Sequence, residues 1–154
     1  MLKRIARHPK GNVKGRFAIV AASYNSRYVD ALVRSAKSTL SSSGVDSLRI
    51  VRVPGSFEIP VVASRLADAA PPYSAILCLG VILQGETTHA QHIGEAISHA
   101  LARIQVERGI PVIHGVFVFQ SEEQARVRCL GKTRNRGIEA ARTALEMARV
   151  MNSL

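Results

Sequence analysis

Four mainly apolar runs without strict apolar–polar alternation, each separated from the next by apolar residues at helical spacing, constrain this chain more than any single motif. The runs are residues 17–22 (Phe-Ala-Ile-Val-Ala-Ala), 48–53, 75–79 and 112–119. Between and after them, Val29, Leu32, Val33, Ala36 and Leu40 share one helical face, as do Ile59, Val62, Ala63 and Leu66, then Ile93, Ala96, Ile97, Ala100, Leu101 and Ile104, and last Ile138, Ala141, Leu145 and Ala148. A strand that is apolar on both sides must be covered on both sides, and helices that follow each strand supply that cover. The pattern therefore predicts an α/β protein with a parallel sheet between two helical layers. Local signals agree. Asn25 or Ser26 can cap the first helix, Ser41-Ser-Ser-Gly44 stops it, and Pro60 suits a first turn. Pro71-Pro72 and Gly109-Ile-Pro111 end the next two helices. Ser121-Glu-Glu-Gln124 predicts a capping-box start to a helix running to about Leu130, with 131–136 as a loop.

With 154 residues, 47% of them hydrophobic, the chain fits a single domain with a sizeable core. We expect a flexible basic tail at 1–15 and one folded domain at 16–154. Six of the 21 basic residues (Lys3, Arg4, Arg7, Lys10, Lys14 and Arg16) fall in the first 16 positions without an acid, so much of the net charge of +10 sits there. A second acid-free group is Arg126, Arg128, Lys132, Arg134 and Arg136. Basic clusters attract nucleic acid, but four Phe, three Tyr and no Trp leave little to stack on bases, and the tail reads as a solvated segment instead. The apolar runs fall far short of the roughly 20 residues that span a bilayer, and the one after the basic start is too short for an export signal. A cytoplasmic protein is expected. Cys78 and Cys129 have no framework spacing and are expected to be reduced thiols.

The stretch 80–89, Gly-Val-Ile-Leu-Gln-Gly-Glu-Thr-Thr-His, reads as the exit from the third strand, a turn and a helix start. Free N–H groups at a helix start, with small and hydroxyl-bearing neighbours, suit a phosphate. His89 beside them has a ring able to move a proton near neutral pH. Glu86, His89 and His92 recur every three residues, which invites a metal reading. That spacing drifts around a helix and nothing completes a shell, so no metal is expected.

In open parallel sheets, ligands gather beyond the carboxyl ends of the strands. That rule brings Tyr24, Ser56, Phe57, Glu58, the stretch 81–89 and the surroundings of Phe119 to one edge. Arg128 and Arg136 lie a helix beyond the fourth strand, so delivering them to the same edge calls for a neighbouring copy of the chain.

Taken together, Ser23-Tyr24-Asn25, the segment 53–60 (Val-Pro-Gly-Ser-Phe-Glu-Ile-Pro), 80–89, Pro111-Val112, Glu123-Gln-Ala125, Arg128, Asn135 and Gly137 resemble the lumazine synthases over about residues 17–151. The resemblance implies a flavodoxin-like three-layer sandwich with a four-stranded parallel sheet. It implies homo-oligomers, pentamers that stand alone or build decamers or sixty-subunit shells, with active sites between adjacent subunits and no cofactor. It further implies small-molecule substrates: 5-amino-6-(D-ribitylamino)uracil and 3,4-dihydroxy-2-butanone 4-phosphate, condensed to 6,7-dimethyl-8-ribityllumazine. Position by position, Tyr24 would cover the pyrimidine, Ser56, Phe57 and Glu58 would line the ribityl pocket, and Val81, Ile82 and Leu83 would offer backbone groups to the uracil edge. Gly85, Glu86 and Thr87 match the phosphate turn, and His89 the proton-transfer residue. From the adjacent subunit come Arg128 and Arg136 for phosphate and His114 against the substrate. His114 stands where the family commonly has Phe, and Arg136 where Lys is frequent. Two rival readings accompany this one. One is a non-catalytic lumazine- or riboflavin-binding shell protein of the same fold, and the other an electron carrier of the flavodoxin type. The latter is disfavoured because residues 23–26 lack the glycine and hydroxyl row that would hold a flavin phosphate.

Overall fold

Residues 11–154 are described by the computed structural model, and the expectation for the first ten residues falls outside them. Strands β1 (Arg16–Ala22), β2 (Ser47–Val53), β3 (Ala75–Leu83) and β4 (Val112–Phe119) form one sheet in the order β2-β1-β3-β4, every neighbouring pair parallel. The helices are α1 (Ser26–Ser42), α2 (Ile59–Ala67), α3 (His89–Arg108), α4 (Glu122–Ala125) and α5 (Arg136–Asn152), with a 3-10 turn at Ser56–Glu58 and a π turn at Arg126–Leu130. This is the flavodoxin-like α/β sandwich with a four-stranded parallel sheet that the sequence predicts.

The two-residue period of a strand splits the apolar runs between two cores. Phe17, Ile19, Ala21, Leu77, Leu79 and Val81 pack with α1 and α5, whereas Ala18, Val20, Ala22, Ile76 and Cys78 pack with α2 and α3. Each large side chain buried this way contributes about 1.5–3 kcal/mol. Among the strands, this burial is concentrated in β1 and β3. Strand β2 is different: only Val53 is buried, and Arg52 reaches across to Asp30 at 2.8 Å, a charged edge of the kind that discourages further strand pairing. In α3, only Ala90, Ile97 and Leu101 are fully covered, while Val106 is 80% exposed. Gly109, with φ 60, closes that helix in the left-handed region. Within residues 11–15, Val13 is buried and its N–H donates to the Ser43 carbonyl at 3.0 Å, and Lys14 pairs with Asp46 at 3.7 Å.

Three local expectations need correction. The third strand runs to Leu83, so Gly80 is a strand residue and not part of the turn. Pairing with β4 continues from Gly80↔Val116 to Leu83↔Phe119, and a Cβ at Gly80 would lie 2.4 Å from Ser56 Oγ. Glycine is there because the 3-10 turn presses on the strand. Asn25 sits at the α1 start with φ 56 and gives that helix no side-chain cap. Its Nδ2 donates instead to the Val81 carbonyl at 2.8 Å. Finally, the helix after Ser121 is four residues long and passes into the π turn. Ser121 Oγ accepts from Gln124 N at 3.3 Å, but Gln124 Oε1 accepts from Gln120 N at 3.0 Å. The reciprocal box therefore closes one residue early.

Candidate active site

A step in the sheet creates the site. The β1–β3 register ends at Ala21↔Leu79, while β3 continues four residues further beside β4 alone. In a parallel ladder, both backbone groups of a residue face the same neighbour and successive residues alternate. Gln84 N donates to the Phe119 carbonyl at 2.8 Å, so Gly80 and Ile82 also turn their backbone towards β4. Val81 and Leu83 turn theirs towards the space beyond the end of β1. Asn25 occupies the Val81 carbonyl. What remains for a ligand is the Val81 N–H and both groups of Leu83, a short donor–acceptor edge. This corrects the expectation for Ile82, whose backbone is committed to the sheet.

Tyr24 and Phe57 flank this step, and both are large aromatics left mostly exposed, at 68% and 62%. Tyr24 N donates to the Pro54 carbonyl at 2.9 Å, and its ring lies over Gly55, where a Cβ would come within 3.0 Å of Tyr24 Cδ2. Glu58 Oε2 accepts from Gly55 N at 2.8 Å, locking the turn that carries Phe57. Ser56 is buried against Gly80, so its part is to seat the turn on β3. Beyond Leu83, Gln84 Nε2 donates to the Thr87 carbonyl at 2.7 Å and ties the turn into a loop. Residues 85–89 are exposed, and a Cβ at Gly85 would meet nothing within 4 Å. There is open room in front of the α3 N-terminus, whose partial positive charge favours an anion. The His89 ring stands at the first position of α3 with no hydrogen-bond partner among the described residues.

Tyr24, residues 56–58, 81–83, 85–87 and His89 thus meet at one edge. His114, Arg128 and Arg136 do not join them. His114 is the third residue of β4, opposite Cys78, about 16 Å along the strand from Phe119. Its Nδ1 accepts from Val116 N at 3.3 Å, and its Nε2 lies 2.7 Å from Ser98 Oγ. Ser98 donates its one hydroxyl proton to the Gly94 carbonyl at 2.7 Å. The ring must therefore be the neutral Nε2–H tautomer, donating to Ser98. Burial lowers its pKa below the usual 6.5.

Arg128, in the π turn, lines an open cleft of about 360 Å³ with Phe119, Glu123, Gln124 and Val127, and it has no acidic partner among the described residues. Arg136 lies over the Phe117 ring, 5.5 Å from its centroid, and pairs with Glu139 at 2.6 Å. Its Nε is buried without a partner. No hydrogen bond or ion pair joins either arginine to the edge. Both are positioned through Asn135, which is buried: its Oδ1 accepts from Gly137 N at 2.9 Å and Ile138 N at 3.1 Å, and its Nδ2 donates to the Cys129 carbonyl at 2.8 Å. Sequence reasoning missed the clasps made by Asn25 and Gln84, because each is a long-range or loop contact with no periodic signature.

The pattern of the 6,7-dimethyl-8-ribityllumazine synthase family matches residues 14–152. A protein of that name from Stenotrophomonas maltophilia (strain R551-3) is 38% identical over 153 residues, covering 96% of this chain and 98% of the relative. Proteins of the same name from Xanthomonas oryzae pv. oryzae (strain PXO99A) and Xanthomonas campestris pv. campestris (strain 8004) are each 36% identical over 152 residues, with the same coverage.

Proposed function

The chain belongs to the 6,7-dimethyl-8-ribityllumazine synthase family, and we propose that the site with which it makes the lumazine is completed by a second copy of the chain. It condenses 5-amino-6-(D-ribitylamino)uracil with 3,4-dihydroxy-2-butanone 4-phosphate to 6,7-dimethyl-8-ribityllumazine, with release of phosphate and water, in riboflavin biosynthesis.

The observation that carries the shared site is the division just described: an exposed edge with two open aromatics, an anion turn and a histidine, to which neither Arg128 nor Arg136 is joined by a hydrogen bond or ion pair among the described residues. In this reading the Val81 and Leu83 backbone groups take the uracil edge, Tyr24 and Phe57 enclose the ring and ribityl chain, and Glu58 and Ser56 hold the Phe57 turn. Gly85, Glu86 and Thr87 receive the phosphate, and Arg128 of a neighbouring copy, with Arg136 beside it, closes over it as a planar donor fork. His114 of that copy presents a neutral polar edge to the substrate. The reaction needs no lysine, since the pyrimidine's own amine attacks the ketone. Water leaves from the ketone carbon with a proton delivered to its oxygen, phosphate leaves with the electron pair as a neighbouring C–H proton is taken, and attack of the ribityl-bearing nitrogen on the second carbonyl carbon closes the ring with loss of a second water. His89, between the anion turn and the pyrimidine edge, moves protons in both directions. Holding the two reactants in register supplies much of the remaining acceleration. A homo-oligomer is part of this mechanism, and α3, with Val106 open and Ile93 and Ile104 only partly covered, offers apolar surface for it. We extend the proposal to a pentamer in the cytoplasm. In keeping with that, no helix among the described residues is long and apolar enough to cross a membrane. Light scattering distinguishes pentamers from decamers and sixty-subunit shells.

The test is to mix the two substrates with the protein and follow lumazine absorbance. Turnover well above the uncatalysed reaction is expected, and His89→Gln should lower kcat by about a hundredfold or more. Lumazine binding without turnover would overturn the assignment in favour of a non-catalytic shell protein.

A further inference from the structure

The π turn has two faces, and only one of them carries Arg128. On the other, Arg27, Arg126 and Arg134 line a separate open cleft of about 370 Å³, with Val127, Leu130 and Thr133. Arg126 and Arg128 are two residues apart on a helical turn, which aims their side chains in nearly opposite directions. The charge in this cleft is only partly met. Arg126 is held by Glu123 through two bonds, Nη2 to Oε1 at 2.7 Å and Nε to Oε2 at 3.0 Å. Arg27 rests against the Tyr28 ring at 5.6 Å, and neither it nor Arg134 has an acidic partner among the described residues. The other nearby acid, Glu122, accepts from the Tyr28 hydroxyl at 3.4 Å and does not line the cleft. Three exposed arginines line one opening, two of them without an acidic partner among the described residues, and an anion between them would relieve their repulsion.

We propose that this cleft is a second anion site, for a small phosphorylated molecule that bears at least two negative charges. Planar guanidinium forks pair with phosphate oxygens two at a time, and a diphosphate has enough oxygens to engage Arg27 and Arg134 together across the opening. The half-exposed side chains of Val127 and Leu130 leave an apolar floor for the carbon portion of such a ligand. Arg27, Arg126 and Arg134 have no part in the lumazine reaction as proposed, although Val127 lines both clefts.

Inorganic pyrophosphate is the probe, titrated calorimetrically into the full-length wild-type protein, the R27Q/R134Q variant and the R128A variant. Wild type should bind two pyrophosphates per chain. R27Q/R134Q should bind one and retain lumazine turnover within about twofold. R128A should bind one and lose affinity for the butanone phosphate. R134Q alone should weaken the cleft site by about tenfold, the loss of one charge-assisted contact, and added salt should weaken it further. One pyrophosphate per chain in wild type, abolished by R128A and untouched by R27Q/R134Q, would overturn the proposal. So would a change in assembly mass for R27Q/R134Q with unchanged stoichiometry, since the arginines would then be subunit contacts.

Discussion

Replacing Asn135 with alanine should disturb both stability and substrate affinity, by amounts that follow from three hydrogen bonds. The side chain is buried and accepts from Gly137 N and Ile138 N at the start of α5, while donating to the Cys129 carbonyl at the end of the π turn. Losing a helix cap costs about 1 kcal/mol. Leaving a buried carbonyl without its partner costs roughly 1–3 kcal/mol more. The sum is about 3 kcal/mol in mid-range, and for a chain of this size that corresponds to a fall in Tm of about 6–12 °C. Serine at 135 keeps the capping oxygen but cannot reach Cys129, so N135S should recover about one third of the loss. Thermal unfolding must be compared at equal protein concentration, because assembly shifts Tm by mass action. The steady-state constants should change in a specific way. With the π turn loosened, the KM for the butanone phosphate should rise more than that for the pyrimidine, since Arg128 is the group unseated. A Tm for N135A within about 2 °C of wild type, or N135S no more stable than N135A, would refute the reasoning.

Gly80→Ala should destabilise by about 1–3 kcal/mol through overpacking, because its Cβ would meet Ser56 Oγ at 2.4 Å and Ile59 Cδ1 at 3.3 Å. Adding Ser56→Ala should recover part of it, and strictly additive losses in denaturant unfolding would contradict that contact. The His114 ring should titrate by NMR below the usual 6.5. Its folded pKa lies below the unfolded one, so its contribution to stability is present above about pH 6.5 and is lost as pH falls through the lower value. A midpoint above 6.5 would count against the neutral tautomer. Burial pushes the Cys78 thiol up to about 12 and the Cys129 thiol up to about 11, the latter despite the opposing charge of Arg128. Neither should react with a disulfide reagent at pH 8 until the protein is unfolded, and rapid labelling of the native protein would show one of them to be accessible.

The sheet was legible in the sequence because its signal is collective. Four mainly apolar runs, two of them broken by Arg49, Arg52 and His114, and four helical stripes leave few other arrangements, and each strand boundary falls within a few residues of its expected place. The errors came where one contact outweighs a local preference. Gly80 looks like a turn residue, yet it is the landing place of Ser56 on a continuing strand. Asn25 looks like a cap, yet the Val81 carbonyl beyond the end of β1 has no strand partner and takes the amide. The Ser121 side chain does cap the helix, but Leu130 is reached through a π turn whose Cys129 carbonyl is taken by Asn135, a contact that no local pattern announces. The edge half of the site was visible as motifs. That the two arginines stand apart from it was also legible, since they follow the fourth strand by a helix, whereas the bonds that fix the His114 ring to Ser98 and Val116 depend on geometry that no spacing records.

The unequal lengths of β1 and β3 bear on how such a chain can vary. A contact surface made of main chain is indifferent to which side chains hang from it, so positions 81 and 83 can drift among apolar residues and present the same donors and acceptors. Only a change that deletes an amide proton, such as proline at 83, or one that slides the strands past each other, would alter what a ligand meets there. In the proposed reading, selectivity at that step is inherited from strand register, and residue identity governs the periphery.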